Sequence, residues 1–280
     1  MIDYPWSFVN GKMYLRGITK MIDPEQKRVL ILAVKAGEMM MESGAEIYRV
    51  EDTITRICKA CHIAYVDVFA TPTGIFVTLD SGDKESDVFT YVRRIKSSSV
   101  NLSVIADINR FSREFTTTDM TVEEGLDVLD EIEKHRRYST ALRIFAAALI
   151  SASFCGIFDG TPAECLMALI VGALGYSLSL LLGKFESNFF MHGMVSSFLA
   201  ALFAELAAAI GIAESAGPII IGAIMIFVPG VAITNAIRDF LSGDMLSGLA
   251  RLGEAIITAV SLAIGAGLML ELWSILGGVI

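Results

Sequence analysis

Charged residues are scarce in the C-terminal half of the sequence, and basic residues are the scarcest. Residues 141–280 hold four of the 22 Lys and Arg residues and nine of the 31 Asp and Glu residues. A segment of this length with so little charge is not typical of a water-soluble domain. The formal net charge of −9 also argues against nucleic-acid binding, because phosphate recognition needs a positive field.

The short motifs of several enzyme and pump classes are missing as well. The sequence has no Walker A lysine loop, no G-x-S-x-G elbow and no H-E-x-x-H helix. Without a cradle for nucleotide phosphates, a nucleotide-driven pump is not predicted. The N-terminus lacks a basic start followed by an apolar core, so we predict no signal peptide and expect the first half to stay where it is made.

Four cysteines, Cys58, Cys61, Cys155 and Cys165, do not make a disulfide scaffold in a chain of 280 residues. Residues 58–62 fit the attachment pattern of haem c, but that attachment takes place outside the cytoplasm, whereas this half is predicted to lie inside. The remaining interpretations are two cysteines at the end of a helix, or a metal-binding or redox dithiol, for which no second pair of ligands is found. We predict no cofactor and no metal ion.

The C-terminal half divides into five apolar runs, at about 141–158, 163–183, 190–211, 217–234 and 248–270. A transmembrane helix needs about 20 mostly apolar residues, and each run has about that length. The sequence therefore predicts a membrane protein in which a small cytoplasmic α/β domain, residues 1–137, precedes a five-helix transmembrane bundle, residues 138–280.

The basic residues of the membrane half predict its orientation. Arg143, Lys184, Arg238 and Arg251 all fall on one side of the predicted bundle, as does the basic stretch at 134–137. The links on the other side carry acidic residues and no Lys or Arg. Because basic residues accumulate on the cytoplasmic side, we expect the N-terminus inside and the C-terminus outside.

The N-terminal half shows helical and strand patterns in turn. Residues 24–60 predict two helices, with a break at Ser43 and Gly44. Residues 62–70 and 74–80 read as strands around a turn, 87–95 as a third strand and 100–115 as a helix. Thr121 and Glu124 have the spacing of a capping box that opens a last helix.

Several ionisable residues are expected at membrane depth, where they are unfavourable and usually functional. Glu205 is the deepest carboxylate; it could carry a proton or contact a cation, or it could pair with a polar group on a partner chain. Glu254 lies near the start of a helix, where the helix dipole stabilises a carboxylate. A structural role for Glu254 is therefore nearly as well supported as a functional one. His192 and Ser196 share a helix face, and Asp159 lies in the first link. We include all five among the candidates for a transport pathway.

Pro229 and Gly230 lie inside the fourth apolar run, so we expect a kink or a break there. Broken membrane helices expose backbone groups that can hold ions or substrate, although a simple kink is the alternative. We expect a charged, glycine-rich loop from 235 to 247 to form a cytoplasmic gate, or else an ordinary capped turn. The candidate residues of this region are Pro229, Gly230, Asn235, Arg238, Asp239, Asp244, Arg251 and Glu254.

Three segments resemble the bacterial threonine/serine exporter family: SGAEIYRVEDTITRI, VDVFATPTGIFVTL and FVPGVAITNAIRDFLSGDMLSGLARLGEA. The resemblance covers roughly residues 26–270. In the cytoplasmic domain it points to Ser43, Gly44, Glu46, Arg49, Glu51, Thr71, Pro72, Thr73 and Gly74. The charged residues among these could equally form a solvated helix face.

The resemblance implies a secondary exporter in the bacterial inner membrane, with the proton gradient as a driving force. Full-length members have a cytoplasmic domain and about ten membrane helices, so this chain is similar to the longer subunit of a split form. Its partner would be a short all-membrane subunit in a homo- or hetero-oligomer, and its substrate a threonine/serine-type amino acid or a dicarboxylate such as succinate. The alternatives are a membrane-anchored hydrolase, for which no nucleophile–base pair is found, and a sensor or assembly module.

Overall fold

The computed structural model describes residues 6–9, 12–15, 24–80, 89–96, 99–134, 138–183 and 189–276. The chain divides into two compact units. Met1–Arg136 and Asp239–Ser247 form the first unit, and Arg137–Arg238 and Gly248–Ile280 form the second. The segment Asp239–Ser247, which we call the returning segment, therefore belongs with the N-terminal half although it lies far along the chain. The predicted basic positions Lys184 and 135–137 lie outside the described residues.

Within the described residues, the first unit combines helices with antiparallel strands. Its helices are α1 (Pro24–Glu42), α2 (Ile47–Ala60), α3 (Leu102–Thr117) and α4 (Val122–Lys134). Its strands are β1 (Trp6–Val9), β2 (Lys12–Leu15), β3 (Tyr65–Thr71), β4 (Gly74–Asp80) and β5 (Phe89–Arg94). β1 and β2 form a hairpin that was not expected, whereas β3, β4 and β5 form one sheet in that order and confirm the predicted strands.

The core of the first unit lies between the helices and one face of the sheet. In β4, Ile75, Val77 and Leu79 are buried while Phe76 is exposed, as expected for a strand with one covered face. Ile47, Ile54 and Ile57 of α2 are fully buried at helical spacing.

The predicted break after α1 is a glycine-terminated helix end. Gly44 has φ +79°, a conformation that glycine adopts without the strain of a side chain. The Ala45 amide donates to the Met40 carbonyl (3.0 Å) and the Gly44 amide to Met41 (3.1 Å). This pair of bonds is the Schellman motif, which satisfies the last carbonyls of the helix.

The predicted capping box at α4 is confirmed. The Thr121 amide donates to a carboxylate oxygen of Glu124 (2.8 Å), and the Glu124 amide donates to the Thr121 hydroxyl (3.3 Å). Because the backbone N–H of Thr121 stabilises the charged form, the pKa of Glu124 lies below its ordinary value.

The second unit is helical throughout its described residues. It contains α5 (Thr140–Ile157), α6 (Pro162–Leu182), α7 (Phe189–Ala209) and α8 (Gly217–Ile224), most of α9 (Gly230–Leu241), and most of α10 (Met245–Ile275). In the part that the structure describes, four helices are long and apolar enough to cross a membrane: α5, α6, α7 and α10. A fifth span is available if the bent pair Gly217–Phe227 and Gly230–Leu241 counts as one.

The expected irregularity at Pro229 and Gly230 is a break between two helices. A short 3-10 turn, Met225–Phe227, follows α8, and the axes before and after the break differ by 54°. Proline has no amide hydrogen to donate, which interrupts the helical ladder at this point.

The predicted loop at 235–247 was wrong, and so was the predicted end of the fourth span at 234. α9 continues to Leu241 and α10 begins at Met245, four residues later. Asn235 and Asp239 lie four residues apart, so both fall on the buried side of α9. The polarity that we took for a loop is therefore one face of a helix.

α9 ends in the same way as α1. Gly243 has φ +92°, and its amide donates to the Phe240 carbonyl (3.2 Å) while the Asp244 amide donates to the Asp239 carbonyl (2.8 Å). The pair Ser242 and Gly243 repeats the pair Ser43 and Gly44, and each ends a helix in a Schellman motif.

Small residues bring the helices of the second unit together. A Cβ atom at Gly172 of α6 would overlap the Ser151 side chain of α5. A Cβ at Gly222 of α8 would lie 2.5 Å from the Ser151 carbonyl oxygen and 3.0 Å from Cys155. Lipid supplies no hydrophobic drive between helices, so close backbone approach at such residues is what holds them in contact.

A second seam joins α7 and α10. A Cβ at Gly193 would overlap the hydroxyl of Ser261, and a Cβ at Gly265 would overlap the Met194 carbonyl oxygen and the Ser197 hydroxyl. A Cβ at Gly267, two residues further along α10, would meet nothing within 4 Å. Gly265 and Gly267 therefore differ in packing although both lie inside α10.

We predict that Gly265→Ala destabilises the second unit by roughly 1–3 kcal/mol, because the methyl group forces α7 and α10 apart. Gly267→Ala is the matched control and should be neutral or stabilise by up to about 1 kcal/mol, since alanine is the better helix former. Thermal unfolding in detergent, followed by the loss of monodisperse protein, measures both. Equal melting temperatures for the two variants would contradict the close packing of α7 against α10 at Gly265.

Candidate functional site

Two of the segments that carry the family resemblance meet in the first unit. The backbone N–H of Ile47, the first residue of α2, donates to a carboxylate oxygen of Asp239 at 3.3 Å, across 192 residues of sequence. Asp239 is fully buried (0% exposed). The candidate site is built around this contact, between the start of α2 and the returning segment.

Asp239 provides α2 with a cap that its own N-cap residue does not. Glu46 occupies the N-cap position with extended backbone, but its side chain makes no capping bond. A carboxylate near a helix N-terminus satisfies a backbone donor and interacts favourably with the helix dipole. Asp239 therefore fixes the returning segment to the start of α2.

The side chain of Glu46 is buried and is engaged by its own helix instead. Its carboxylate forms an ion pair with the Arg49 guanidinium at 2.9 Å, and Arg49 also donates to the Tyr48 hydroxyl at 3.1 Å. The interpretation of this cluster as a freely solvated face does not fit Glu46, which is 5% exposed.

Glu51, one turn further along α2, links the helix to the sheet. It accepts a hydrogen bond from the Ala70 backbone N–H at 2.8 Å. Partial burial raises the pKa of Glu51, and the charges of Asp244 and Asp67 raise it further, against the lowering effect of the Ala70 bond. Asp244 belongs to the returning segment, so that segment contributes to the raised pKa of Glu51.

The turn after Ala70 is held by its own residues. The Thr71 hydroxyl donates to the Gly74 carbonyl at 3.2 Å, and the Ile95 amide donates to the Thr73 carbonyl at 2.9 Å. A Cβ at Gly74 would come within 3.4 Å of the Arg93 carbonyl oxygen. Thr71, Pro72, Thr73 and Gly74 thus shape the β3–β4 turn beside Glu51.

Ser43 and Gly44 lie just before the start of α2. Ser43 is buried, and its carbonyl accepts from the Asn101 amide at 3.0 Å. These two residues set the angle between α1 and α2, and so position the N-terminus that Asp239 caps.

The candidates in the second unit differ in how exposed they are. Arg251 and Asn235 are buried (9% and 6% exposed), while Arg238 and Glu254 are exposed. A Cβ atom at Gly253, the residue before Glu254, would meet open space.

On α7, Ser196 is fully buried, and its hydroxyl has no hydrogen-bond partner among the described residues. His192 and Glu205 are half-buried, on the same helix. Asp159 is exposed in the α5–α6 turn with φ +61°, so it is not on a helix face.

Glu164 is a buried carboxylate that the sequence interpretation did not single out. It is 2% exposed and accepts from the Thr161 amide (2.8 Å) and the Ser215 amide (2.7 Å). Thr161 and Glu164 form a capping box, which the spacing Thr-x-x-Glu before an apolar run could have revealed. Its bond to Ser215 joins the start of α6 to the link before α8.

The cysteine pair near the end of α2 is withdrawn from solvent, Cys58 fully and Cys61 in part. Cys58 is buried, and burial raises its pKa to about 12, while burial also raises the pKa of Cys61. Thiols in this state are poor metal ligands and poor nucleophiles. Among the described residues, no group of three or more His, Cys, Asp or Glu side chains is arranged to hold a metal ion.

The apolar helices of the second unit and the α/β first unit define a multi-pass membrane protein. Residues 31–273 match the family described as "Putative threonine/serine exporter", ThrE. The chain belongs to this family, whose described role is transport rather than enzymatic catalysis.

Comparison with three relatives shows how much of each relative's length this chain covers. The chain is 24% identical over 244 residues to a "Probable threonine/serine exporter" of Mycobacterium tuberculosis, covering 87% of this chain and 46% of that protein. It is 21% identical over 253 residues to the "Threonine/serine exporter" of Corynebacterium glutamicum, covering 89% of this chain and 52% of that protein.

It is 22% identical over 263 residues to the "Probable succinate transporter subunit YjjP" of Klebsiella aerogenes, covering 90% of this chain and 97% of that protein. The chain thus spans about half the length of the exporters and nearly all of the subunit. No solved structure matches it.

We predict that Asp239→Ala destabilises the start of α2 by roughly 0.5–2 kcal/mol, the usual effect of removing a helix cap. Asp239→Asn keeps an oxygen acceptor and should lose less. Hydrogen exchange of the peptide that contains Ile47 measures the effect locally. Asp52→Ala is the control, since Asp52 is exposed on the same helix and pairs with Arg56. Equal exchange in the Asp239→Ala and Asp52→Ala variants would contradict the cap.

Proposed function

We propose that this protein is a subunit of a secondary exporter of small polar metabolites, either threonine/serine-type amino acids or dicarboxylates such as succinate. Its family membership and its near-complete coverage of a protein named as a transporter subunit support this proposal. The single observation that carries it is the broken pair α8–α9, because irregular backbone at membrane depth is tolerated where it lines a cavity or is buried in protein.

The break changes the backbone bonds that a continuous helix would make. The amide of Gly230 would donate to the Ile226 carbonyl in an unbroken helix, but it donates to the Val228 carbonyl at 2.8 Å. The Ile226 carbonyl is thereby released from its helical bond. Released carbonyls of this kind coordinate the coupling cation in many secondary transporters.

The returning segment supports a count of five spans. Asp239 contacts Ile47 of the first unit, so both must lie on the same side of the membrane. If α5, α6 and α7 each cross and the bent pair does not, the returning segment would emerge on the opposite side from the first unit. The contact is therefore consistent with a bent pair that crosses, and with a C-terminus opposite the N-terminus.

We predict that a cysteine placed at Ser274 is labelled by a membrane-impermeant thiol reagent in intact cells, whereas one at Ser242 is labelled only after permeabilisation. Both positions are exposed, and the four native cysteines are replaced in the background. The reverse pattern at Ser274, with labelling only after permeabilisation, would indicate four spans and exclude this topology.

Two charged residues of the second unit suit a pathway for polar solutes. Arg251 is largely buried on a helix that is long and apolar enough to span the membrane, and Glu205 is half-buried in α7. Ionisable residues in such positions commonly contact the solute or a coupling proton. A buried arginine suits a carboxylate of the solute, because its guanidinium binds carboxylates in a bidentate manner.

The remaining parts of the proposal follow from the family. A short all-membrane subunit would complete about ten helices, the assembly would lie in the bacterial inner membrane, and the proton gradient would drive export. The basic residues near the predicted cytoplasmic ends support an N-terminus inside the cell.

We predict that Arg251→Ala and Glu205→Gln each lower efflux by about tenfold or more, because each removes a charged side chain from a helix that is long and apolar enough to span the membrane. Glu254→Gln, three residues further along α10 than Arg251, should lower efflux as well. Efflux of labelled threonine, serine and succinate is measured in the source bacterium with the chromosomal copy deleted, so that any partner subunit is present.

Glu271→Gln is the matched control for this experiment, since Glu271 is exposed near the end of α10. Its efflux should equal that of the unaltered protein, and all variants should reach the membrane in equal amounts. Unchanged efflux of all three solutes in the Arg251→Ala and Glu205→Gln variants would remove these residues from the pathway.

A further inference from the structure

A cavity of about 410 Å³ lies in the first unit, between α1, β5 and the end of α4. Its volume falls within the range of sites that bind small molecules, about 300–1,000 Å³. Apolar side chains form part of its wall, among them Val34 and Met39, which are each 3% exposed. Tyr91 and charged side chains of both signs complete the wall: Lys35, Glu38, Glu42, Arg93 and Glu133.

The covered face of β5 becomes polar where it borders this cavity. In the sheet register, Tyr91 lies opposite Val77 and Arg93 lies opposite Ile75, and both of these β4 residues are buried. Because successive strand residues point to opposite faces, Tyr91 and Arg93 point towards the helices, whereas Arg94 points away. A charged side chain on the covered face of a sheet is unfavourable unless it has a partner there.

Two ion pairs join the three walls of the cavity. Arg93 Nε donates to Glu38 Oε1 at 2.7 Å, which joins β5 to α1. Lys35 Nζ pairs with Asp130, which joins α1 to α4. Lys35, Glu38 and Glu42 are spaced three and four residues apart, so they lie along one face of α1. Charged groups that are already in place when a ligand arrives lower the free-energy cost of binding it.

The charges of the wall suit a solute that carries one ammonium and one carboxylate group. A guanidinium has donors on its terminal nitrogens besides the Nε–H that Arg93 gives to Glu38, and these suit a carboxylate. The carboxylates of Glu42 and Glu133 suit an ammonium group. A dicarboxylate would meet three acidic side chains, and a diamine would meet Arg93 and Lys35. A solute with one charge of each sign has an attractive partner for both of its charges.

We propose that this cavity is a binding site for a small α-amino acid, with Arg93 binding its carboxylate and Glu42 and Glu133 binding its ammonium group. All the residues that line the cavity belong to the first unit, so the site is separate from the pathway candidates of the second unit. An exporter that binds its solute at a second site can respond to the concentration of that solute. This regulatory use rests on the proposed function, whereas the binding does not.

Hydrogen exchange of the full-length chain in detergent tests the proposal. Exchange is compared without ligand and with L-threonine, L-serine or succinate at about 10 mM, which detects ligands of millimolar affinity. Either amino acid should slow exchange severalfold in peptides covering 31–42 and 89–94, and by about tenfold when its concentration is ten times Kd. Succinate should leave these peptides unchanged. Titrating the protection gives the affinity of each ligand.

Variants on the two faces of β5 test the assigned contacts. Arg93→Gln should weaken threonine binding by about tenfold, because it removes a charged hydrogen-bond partner. Arg94→Gln, on the opposite face of the same strand, is the matched control and should bind threonine normally. Threoninamide has no carboxylate, so it should bind the unaltered chain about tenfold more weakly than threonine. It should bind Arg93→Gln no more weakly than it binds the unaltered chain, since the two changes remove the same contact.

Glu133→Gln should weaken the binding of both threonine and threoninamide, because both carry the ammonium group. Glu133 is exposed near the end of α4, so its substitution is not expected to unfold the first unit. If exchange without ligand shows that Arg93→Gln is unfolded, Glu133→Gln decides, and unchanged threonine binding in that variant overturns the proposal.

The absence of protection by both amino acids would also overturn it, and would leave Arg93 as an inward charge that keeps the end strand from pairing with other chains. Protection confined to peptides of the second unit would indicate a transport site alone and contradict the cavity. Equal protection by succinate, or equal weakening in Arg93→Gln and Arg94→Gln, would contradict the assigned chemistry. None of these measurements requires efflux, so failure here is distinct from failure of the proposed function.

Discussion

The hydrogen bond from the start of α2 to Asp239 is the contact on which the organisation of the first unit depends. α2 begins at a residue whose own side chain does not cap it, so the helix takes its acceptor from a carboxylate far along the chain. A buried carboxylate is tolerated only with hydrogen-bond donors around it, and a helix N-terminus supplies them. The same bond requires the returning segment to lie on the side of the membrane where the first unit folds.

That requirement connects the first unit to the membrane helices along the chain. The segment follows α9, which follows the break at Pro229, and it leads into α10. A transporter must change the arrangement of its helices to expose a site alternately, and broken helices are common at such sites. The two Schellman turns, at Gly44 and Gly243, place the α2 N-terminus and the returning segment where one can bind the other.

Packing in the second unit follows a different rule. Its helices meet at glycine, serine and alanine residues, where backbones approach closely and little apolar surface is hidden from lipid. Glu164 adds a polar tie between the start of α6 and the link before α8.

The sequence by itself determined the apolar runs, the break at Pro229, the strands of the sheet and the capping box at Thr121, because each depends on residues within one or two turns. It also contained the family resemblance. Only the tertiary structure decided that residues 235–241 form a helix and that Asp239 caps α2. The cap depends on a contact between residues nearly two hundred positions apart, and local periodicity carries no information about which distant donor a carboxylate will meet.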